Sequence, residues 1–430
     1  MFRFLHAADL HLDSPLRGLD RYEGAPADRL RNATRDAFRK LVDLALAENV
    51  AFVLLAGDLY DGDWTDFHTG LFLRGELVRL GQAGIDVFIV RGNHDAKSVI
   101  TRELTLPPNV HEFGTRKAET IVLDAHPVAI HGQSFPDRAM PDDLVPGYPD
   151  AVPGRFNIGL LHTSLAGSPE HDSYAPTTLP VLRQRGYDYW ALGHVHQRAR
   201  ASEAPWVVFP GNLQGRHARE TGAKGCELVT VDDGGTVTSE FVALDVVRWT
   251  ALEIDLGGGA GAGLAASPAD LAGAQAIVRA ALDAAVRAAP DKLHAIRVTL
   301  AGQSPLALDE ARMPGTLAAQ VRAAAQDVDA GEVWIERVVV ALRPPFDRAA
   351  EAGRDDAVGE LVRLVDGLGA DAAALEALAG PLADALAKAL PPGLLTDDDA
   401  RALRDPADWL ALLKEAEDTV LARLTAEVKA

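Results

Sequence analysis

The chain has 430 residues, 48% of them apolar, with 62 acidic side chains against 42 basic ones and a net charge of −20. That length accommodates two or three domains and a sizeable core, and the composition excludes a disordered or fibrous chain. No apolar run is long enough to span a membrane, Asp9 falls where a secretion signal needs apolar residues, and the lone Cys226 has no internal disulfide partner. A cytoplasmic protein is expected, and the acidic balance by itself argues against a nucleic-acid binder.

Up to residue 245 the pattern is α/β. Short apolar runs at Phe2–Ala7, Ala51–Ala56, Val87–Val90, Ile158–Leu161, Tyr189–Leu192 and Trp206–Phe209 predict buried strands. Between the first two, Ala33, Ala37, Leu41, Leu44 and Ala45 recur at helical spacing and predict a helix over Leu30–Glu48. Met140–Pro153, with four prolines, reads as a loop. Residues 246–345 predict a second, smaller domain: a strand at Trp249–Leu256, a glycine-rich loop at Gly257–Gly263, and a helix capped by Ser267-Pro268 and running to about Ala289. A strand at Leu293–Leu300, a helix at Thr316–Gln326 and a strand at Val333–Leu342 complete it. Pro344-Pro345 opens a linker, and residues 346–430 carry 18 acidic against 9 basic side chains. This last segment is rich in alanine and leucine and reads as helical. Asp405-Pro406 starts a helix whose apolar positions Trp409, Leu413, Ala416, Val420 and Leu424 predict either a self-packed bundle or a docking stripe for a partner.

Chemistry concentrates in five places that each follow a predicted strand: Asp9-Leu10-His11, Gly57-Asp58-Leu59-Tyr60-Asp61, Gly92-Asn93-His94-Asp95, Leu161-His162-Thr163 and Gly193-His194-Val195-His196. In open α/β sheets, loops converge at the carboxyl ends of strands. A glycine precedes three of the groups and allows a sharp turn out of the strand. Asp9, His11, Asp58, Asn93, His162, His194 and His196 are too many donors for one metal and suit two, with one carboxylate bridging. The absence of thiolate argues against a structural zinc site. Mixed nitrogen and oxygen ligation suits Mn2+ or Fe2+ and is compatible with Zn2+. Paired metals are a recurring device for displacement at phosphorus. His94 is a candidate general acid or transition-state contact, and Asp61 could hold its other nitrogen. The remaining histidines, His6, His68, His111, His126, His131, His171, His217 and His294, read as structural or surface residues.

The order D-x-H, GDxxD, GNHD, H, GHxH resembles the calcineurin-like metallophosphoesterases. The flanking text, His6–Pro15 and Phe209-Pro210-Gly211-Asn212-Leu213-Gln214-Gly215-Arg216, resembles the SbcD-type DNA-repair exonucleases and their YhaO-like branch. The resemblance implies a four-layer α/β sandwich, two mixed sheets flanked by helices, over 1–245. It also implies a small α+β capping domain over 246–345 and a helical region over 346–430 that docks an SMC-like ATPase. It implies Asp9, His11, Asp58 and His196 around one Mn2+, and Asp58, Asn93, His162 and His194 around a second. His94 is then the catalytic histidine. Such enzymes cut DNA as 3′-to-5′ exonucleases and single-strand endonucleases in double-strand-break repair, and commonly form homodimers.

Within the chemistry of the site, a small phosphodiester or a phosphoprotein is the alternative substrate, which the net charge favours and the 185 residues after position 245 disfavour. Arg216, with Asn212 beside it, is the candidate substrate-phosphate contact. The basic run Arg17, Arg21, Arg29, Arg31, Arg35, Arg39 and Lys40 is either a phosphate-contacting face or an ordinary solvated helix. The interleaved Asp20, Glu23, Asp28 and Asp36 favour the latter.

Overall fold

The computed structural model describes residues 1–14, 24–61, 67–96, 105–165, 174–258, 267–268, 270–329, 331–389 and 405–428. Arg17, Arg21, His171 and most of the glycine-rich loop (259–263) lie outside them.

Two six-stranded mixed sheets form the first half. In the first sheet β1 (Phe2–Ala7), β2 (Phe52–Ala56), β3 (Asp86–Val90) and β4 (Val110–Glu112) run parallel. β11 (Gly225–Val231) lies antiparallel beside β1, and β12 (Val237–Ala243) closes the edge. The second sheet repeats the design. β6 (Val128–Gly132), β7 (Phe156–His162), β8 (Tyr189–Gly193) and β10 (Trp206–Phe209) are parallel, edged by antiparallel β5 (Glu119–Val122) and β9 (Ala199–Glu203).

The apolar runs of β1 to β3 are continuous because both faces are covered. One face meets the other sheet: Phe4, Phe52, Leu54 and Phe88 pack with Ile130, Ile158, Leu160, Tyr189 and Val208. Phe4 and Phe52 stack at 5.0 Å, and Phe4 meets Tyr189 edge-on at 5.4 Å. The other face, Leu5, Ala7, Val53, Leu55, Val87 and Ile89, packs under α1 (Ala27–Ala47) and α2 (Phe67–Gln82) through Ala37, Phe38, Leu41, Leu73 and Leu77. Outside the second sheet, Trp190, Leu192 and Val207 are covered by Tyr148, which sits in the expected loop beside a 3-10 turn at Val145–Gly147, and by Leu182 of α3 (Leu179–Gln184).

Trp249 and Trp334 meet edge-on at 6.1 Å in a smaller cluster with Leu30, Val247 and Leu293. The chain divides into one compact unit of Met1–Thr250, Ala289–Ile296 and Gly331–Glu336, and a second of Ala251–Ala288, Arg297–Ala330 and Arg337–Ala430. A three-stranded sheet, β13 (Val247–Asp255), β14 (Leu293–Gln303) and β15 (Glu332–Arg343), has β14 at its centre.

In the second unit α4 (Leu271–Arg287) packs on α6 (Thr316–Gln326). The expected Ser267-Pro268 cap is displaced. Asp270 caps α4, accepting from Gly273 N at 2.8 Å, and the Ser267 hydroxyl instead bonds Ser304 at 2.9 Å. The C-terminal region is helical: α7 (Arg348–Ala352), α8 (Ala357–Ala370), α9 (Ala372–Ala389) and α10 (Pro406–Val428) follow α5 (Leu306–Arg312) and α6. The α10 stripe differs from the expected one. Val420 and Ala416 are exposed, while Trp409, Glu417 and Leu421 are buried. Leu421 joins Val358 and Val362 of α8 in the core, and Glu417 is paired with Arg348. A charged residue takes a core-facing position because an arginine meets it there, which apolar spacing alone does not reveal. Among the described residues no helix is long and apolar enough to cross a membrane.

Candidate metal centre

All five donor-bearing loops leave the carboxyl ends of β1, β2, β3, β7 and β8. The two sheets present their parallel strands with these ends together, so residues far apart in sequence meet. The turns are tight. Asp9 (φ 52°), His11 (φ 42°), Asp58 (φ 52°) and His194 (φ 101°) all adopt left-handed backbone, a conformation that Asp and His tolerate better than most residues but still at a cost. Main-chain bonds hold the strain in place: Asp9 N donates to Gly57 O and His11 N to Asp58 O, each at 3.0 Å.

The three glycines that precede donors are needed for two different reasons. Gly57 has φ +89° and makes the turn that the sequence suggests. At Gly92 a Cβ would collide with the Asp58 carboxylate and lie 2.8 Å from His162 Nε2, and at Gly193 it would collide with the Ala56 carbonyl. Those two glycines provide room rather than a turn.

Three groups of side chains, two of them sharing His11, each place their ligand atoms within 4.8 Å of one another: Asp9, His11 and His196; Asp58, His162 and His194; and His11, Asp61 and His94. Asp58 Oδ2 is 3.5 Å from His162 Nε2 and 3.9 Å from His11 Nε2, so it lies between the first two groups. Asn93 Oδ1 is 3.0 Å from His162 Nε2, and His11 Nε2 is 3.1 Å from His196 Nε2. The structure thus brings all seven sequence-derived donors together. His94 is more open, 38% exposed, and its Nδ1 is 3.0 Å from Asp61 Oδ1. Ser14 Oγ donates to the other Asp61 oxygen at 2.6 Å.

The electrostatics are those of buried like charges and crowded imidazoles. Burial, then the neighbouring Asp58, pushes the Asp9 carboxyl well up. Burial also pushes Asp58 up, against the opposing His94. Burial holds His11 well below the ordinary imidazole range and brings His162 down to about 3, so both keep a free lone pair at neutral pH. Burial acts upward on Asp61 too, but the His11 ring 3.7 Å away and the hydrogen bonds from His94 and Ser14 outweigh it and hold that carboxyl down. Its hydrogen bond raises His94 in turn. Two carboxylates and four imidazoles brought together, with no thiolate, fit a pair of divalent cations: such a charge would relieve the carboxylate repulsion and use the neutral nitrogens of His11 and His162.

Arg216 and Asn212 reach the same place from the loop after β10. Arg216 is 14% exposed and pairs with Glu220 at 3.0 Å, with a guanidinium nitrogen 3.8 Å from Asp61 Oδ2. Asn212 is fully buried, its Nδ2 donating to Gln214 O and Glu220 Oε2, each at 2.9 Å. Four of the five described members of the basic run are paired elsewhere: Arg29 with Glu332, Arg31 with Asp28, Arg35 with Asp13 and Arg39 with Asp36.

Two acidic residues escaped the sequence reading. Asp95 is buried and accepts from the backbone of Leu59 (3.1 Å), Tyr60 (3.0 Å) and Gly92 (3.2 Å), so it ties the Asp58 loop to the Asn93 loop. Glu220 accepts from His196 Nδ1 at 2.8 Å. Asp95 could have been suspected from its place beside Asn93-His94. Glu220 carries no local signal, since His217-Ala218-Arg219-Glu220 reads as a solvated turn.

Nitrogen and oxygen donors gathered where two face-packed α/β sheets end make a metallophosphoesterase fold with a candidate metal centre. Residues 2–198 match the calcineurin-like phosphoesterase family, a family of metal-dependent hydrolases that bind two divalent metals. Residues 249–343 match the middle domain of metallophosphoesterase YhaO. The chain is 38% identical over 257 residues to the uncharacterized metallophosphoesterase YhaO of Bacillus subtilis (strain 168), covering 59% of this chain and 63% of that one. It is 26% identical over 278 residues to the DNA double-strand break repair protein Mre11 of Methanopyrus kandleri, covering 57% and 58%. The chain thus spans less than two thirds of the length of either relative. Among solved structures, the TT1561 protein of Thermus thermophilus is similar with a TM-score of 0.36 and 13% identity over 56% of this chain and 98% of that one.

Proposed function

We propose that the protein is a two-metal, Mn2+-dependent nuclease that hydrolyses DNA phosphodiester bonds, of the SbcD type. The observation that carries the reading is the convergence of seven buried or half-buried donors, Asp58 among them, beside a histidine braced by its own carboxylate. Asp9, His11, Asp58 and His196 would hold one ion, and Asp58, Asn93, His162 and His194 the other. Such a pair supplies positive charge for activating water and for stabilising the phosphoryl oxygens.

The chain's own residues do the rest. Asp61 accepts from His94 Nδ1, fixes the ring and raises its proton affinity, which suits His94 to deliver a proton to the leaving oxygen. Arg216, held by Glu220, binds a substrate phosphate. Asn212 acts behind it, through Glu220.

DNA as the substrate is supported by the names of the Mre11 relatives. Cytoplasmic work as a homodimer with an SMC-like ATPase belongs to the same reading. The net charge of −20 favours a small phosphodiester instead. Incubation with Mn2+ and end-labelled DNA, beside a chromogenic phosphodiester and a nucleotide, separates the two. Shortening of the DNA from its 3′ ends, abolished in Asp58→Ala, is expected. Turnover of the small esters alone, or intact DNA with metal bound, would sink the nuclease.

A further inference from the structure

We propose that Glu220 is a positioning residue serving both halves of the centre: its carboxylate orients His196 toward the metal and holds Arg216 toward the substrate phosphate. The inference rests on the phosphodiesterase reading above. Glu220 is 7% exposed and its two oxygens are fully engaged. Oε1 accepts from His196 Nδ1 at 2.8 Å and from Arg216 Nη2 at 3.0 Å, while Oε2 accepts from Arg216 N at 2.7 Å and from Asn212 Nδ2 at 2.9 Å.

With Nδ1–H bonded to Glu220, His196 has Nε2 as its free nitrogen, and that atom lies 3.1 Å from His11 Nε2 and 4.0 Å from Asp9 Oδ1. A carboxylate behind an imidazole ligand fixes its tautomer and strengthens it as a donor. His162 needs no such side chain, because its Nδ1 meets the Ala56 carbonyl at 2.9 Å. The rest of the 212–224 segment reinforces the hold. Lys224 Nζ and Asn212 N both donate to the His196 carbonyl, at 2.8 and 3.3 Å. Glu220 cannot drift, because its amide bonds His217 O at 2.9 Å and its carbonyl crowds Gly215, where a Cβ would stand 2.7 Å away. One carboxylate therefore links the geometry of a metal donor to the guanidinium that meets substrate.

The test compares wild type, Glu220→Gln and Arg216→Gln by calorimetric Mn2+ titration and by steady-state hydrolysis of a chromogenic phosphodiester. In Glu220→Gln one of the two Mn2+ affinities falls about 10- to 100-fold, the other stays within twofold, and KM rises. In Arg216→Gln KM rises with both affinities unchanged. Unchanged affinities and KM in Glu220→Gln, or an equal loss at both metal sites, overturns the proposal. If Glu220→Gln fails to fold by circular dichroism, Glu220→Asp, which keeps the charge and withdraws it from the ring, must show the same one-site loss. Wild type that neither binds Mn2+ nor hydrolyses the ester overturns the phosphodiesterase reading, and this proposal with it. Normal wild-type behaviour beside a silent Glu220→Gln overturns this proposal alone.

Discussion

Gly92→Ala adds a single methyl group at a place where only a hydrogen fits. Because Gly92 has no left-handed backbone, the substitution costs nothing in conformation, and its whole effect is steric. The new Cβ would overlap the Asp58 carboxylate and stand 2.8 Å from His162 Nε2 and Cε1, where ordinary contact begins at 3.4 Å. The His162 ring must withdraw by about 0.6 Å and the carboxylate by more, a strain of about 1–3 kcal/mol in a packed site. Neither group has free space, since His162 Nδ1 is tied to Ala56 O and Asp58 Oδ1 to His94 N. Displacements of this size in a reacting centre cost on the order of 100-fold in turnover. The expected outcome is a protein that still folds, with a melting temperature a few degrees lower, and that has lost tight binding of at least one Mn2+ and about two orders of magnitude in kcat. Calorimetric Mn2+ titration, a thermal melt and hydrolysis of a chromogenic phosphodiester read the three quantities separately. Full Mn2+ stoichiometry and wild-type turnover in Gly92→Ala would refute the assignment of Asp58 and His162 to the centre.

Three further outcomes are expected. His94→Ala should keep both Mn2+ ions and lose most of its turnover, because His94 belongs to neither the Asp9–His11–His196 group nor the Asp58–His162–His194 group and is braced by Asp61; a metal-free variant by elemental analysis would show that its role was misassigned. His6 is buried between Tyr189 Oη (3.1 Å) and Leu192 O (3.2 Å), and burial brings it down to about 4 from 6.5. The folded state therefore favours the neutral ring: stability from this group is full above pH 6.5 and is lost as pH falls through 4, on the order of 3 kcal/mol in all. Urea midpoints at pH 7 and 4.5 should diverge less in His6→Gln than in wild type, and identical divergence would contradict the assignment. Arg348→Ala strands the Glu417 carboxylate, 1% exposed, in the second unit. Since Arg348 is itself 44% exposed, solvent screening reduces the loss to about 1–2 kcal/mol. Glu417→Leu should cost less by chemical denaturation, and the reverse order would show that the pair is not what holds α10.

The sequence made the donors legible because the site is written in short strand-end motifs, and made most doubly buried strands legible, although β6, buried throughout, and β11 were not foreseen. β1 and β10 have the boundaries that their apolar runs predict, as does α6 from its spacing. The unforeseen strands are those at or near sheet edges. β12 alternates half-buried and exposed residues, β9 is mostly exposed Ala-Arg-Ala-Ser-Glu, and β4 has only three residues; their pairing comes from neighbouring strands, not from their own composition. α2 was hidden by Gly70 and Gly75 inside it. Glu220 was illegible for a different reason: its meaning lies in His196, 24 residues earlier, and only the fold brings them together.

The left-handed backbone at Asp9, His11, Asp58 and His194 sets function against durability. Each residue is held in a conformation that costs about 1–3 kcal/mol, and Asp9 and Asp58 are buried side by side as well. Glycine at any of the four would relax the chain, so without metal these positions are liabilities to the fold. Metal reverses that ranking by rewarding only the state that holds it. A selection for stability run in chelator would drift toward loss of the centre, and the same selection run in Mn2+ would preserve it.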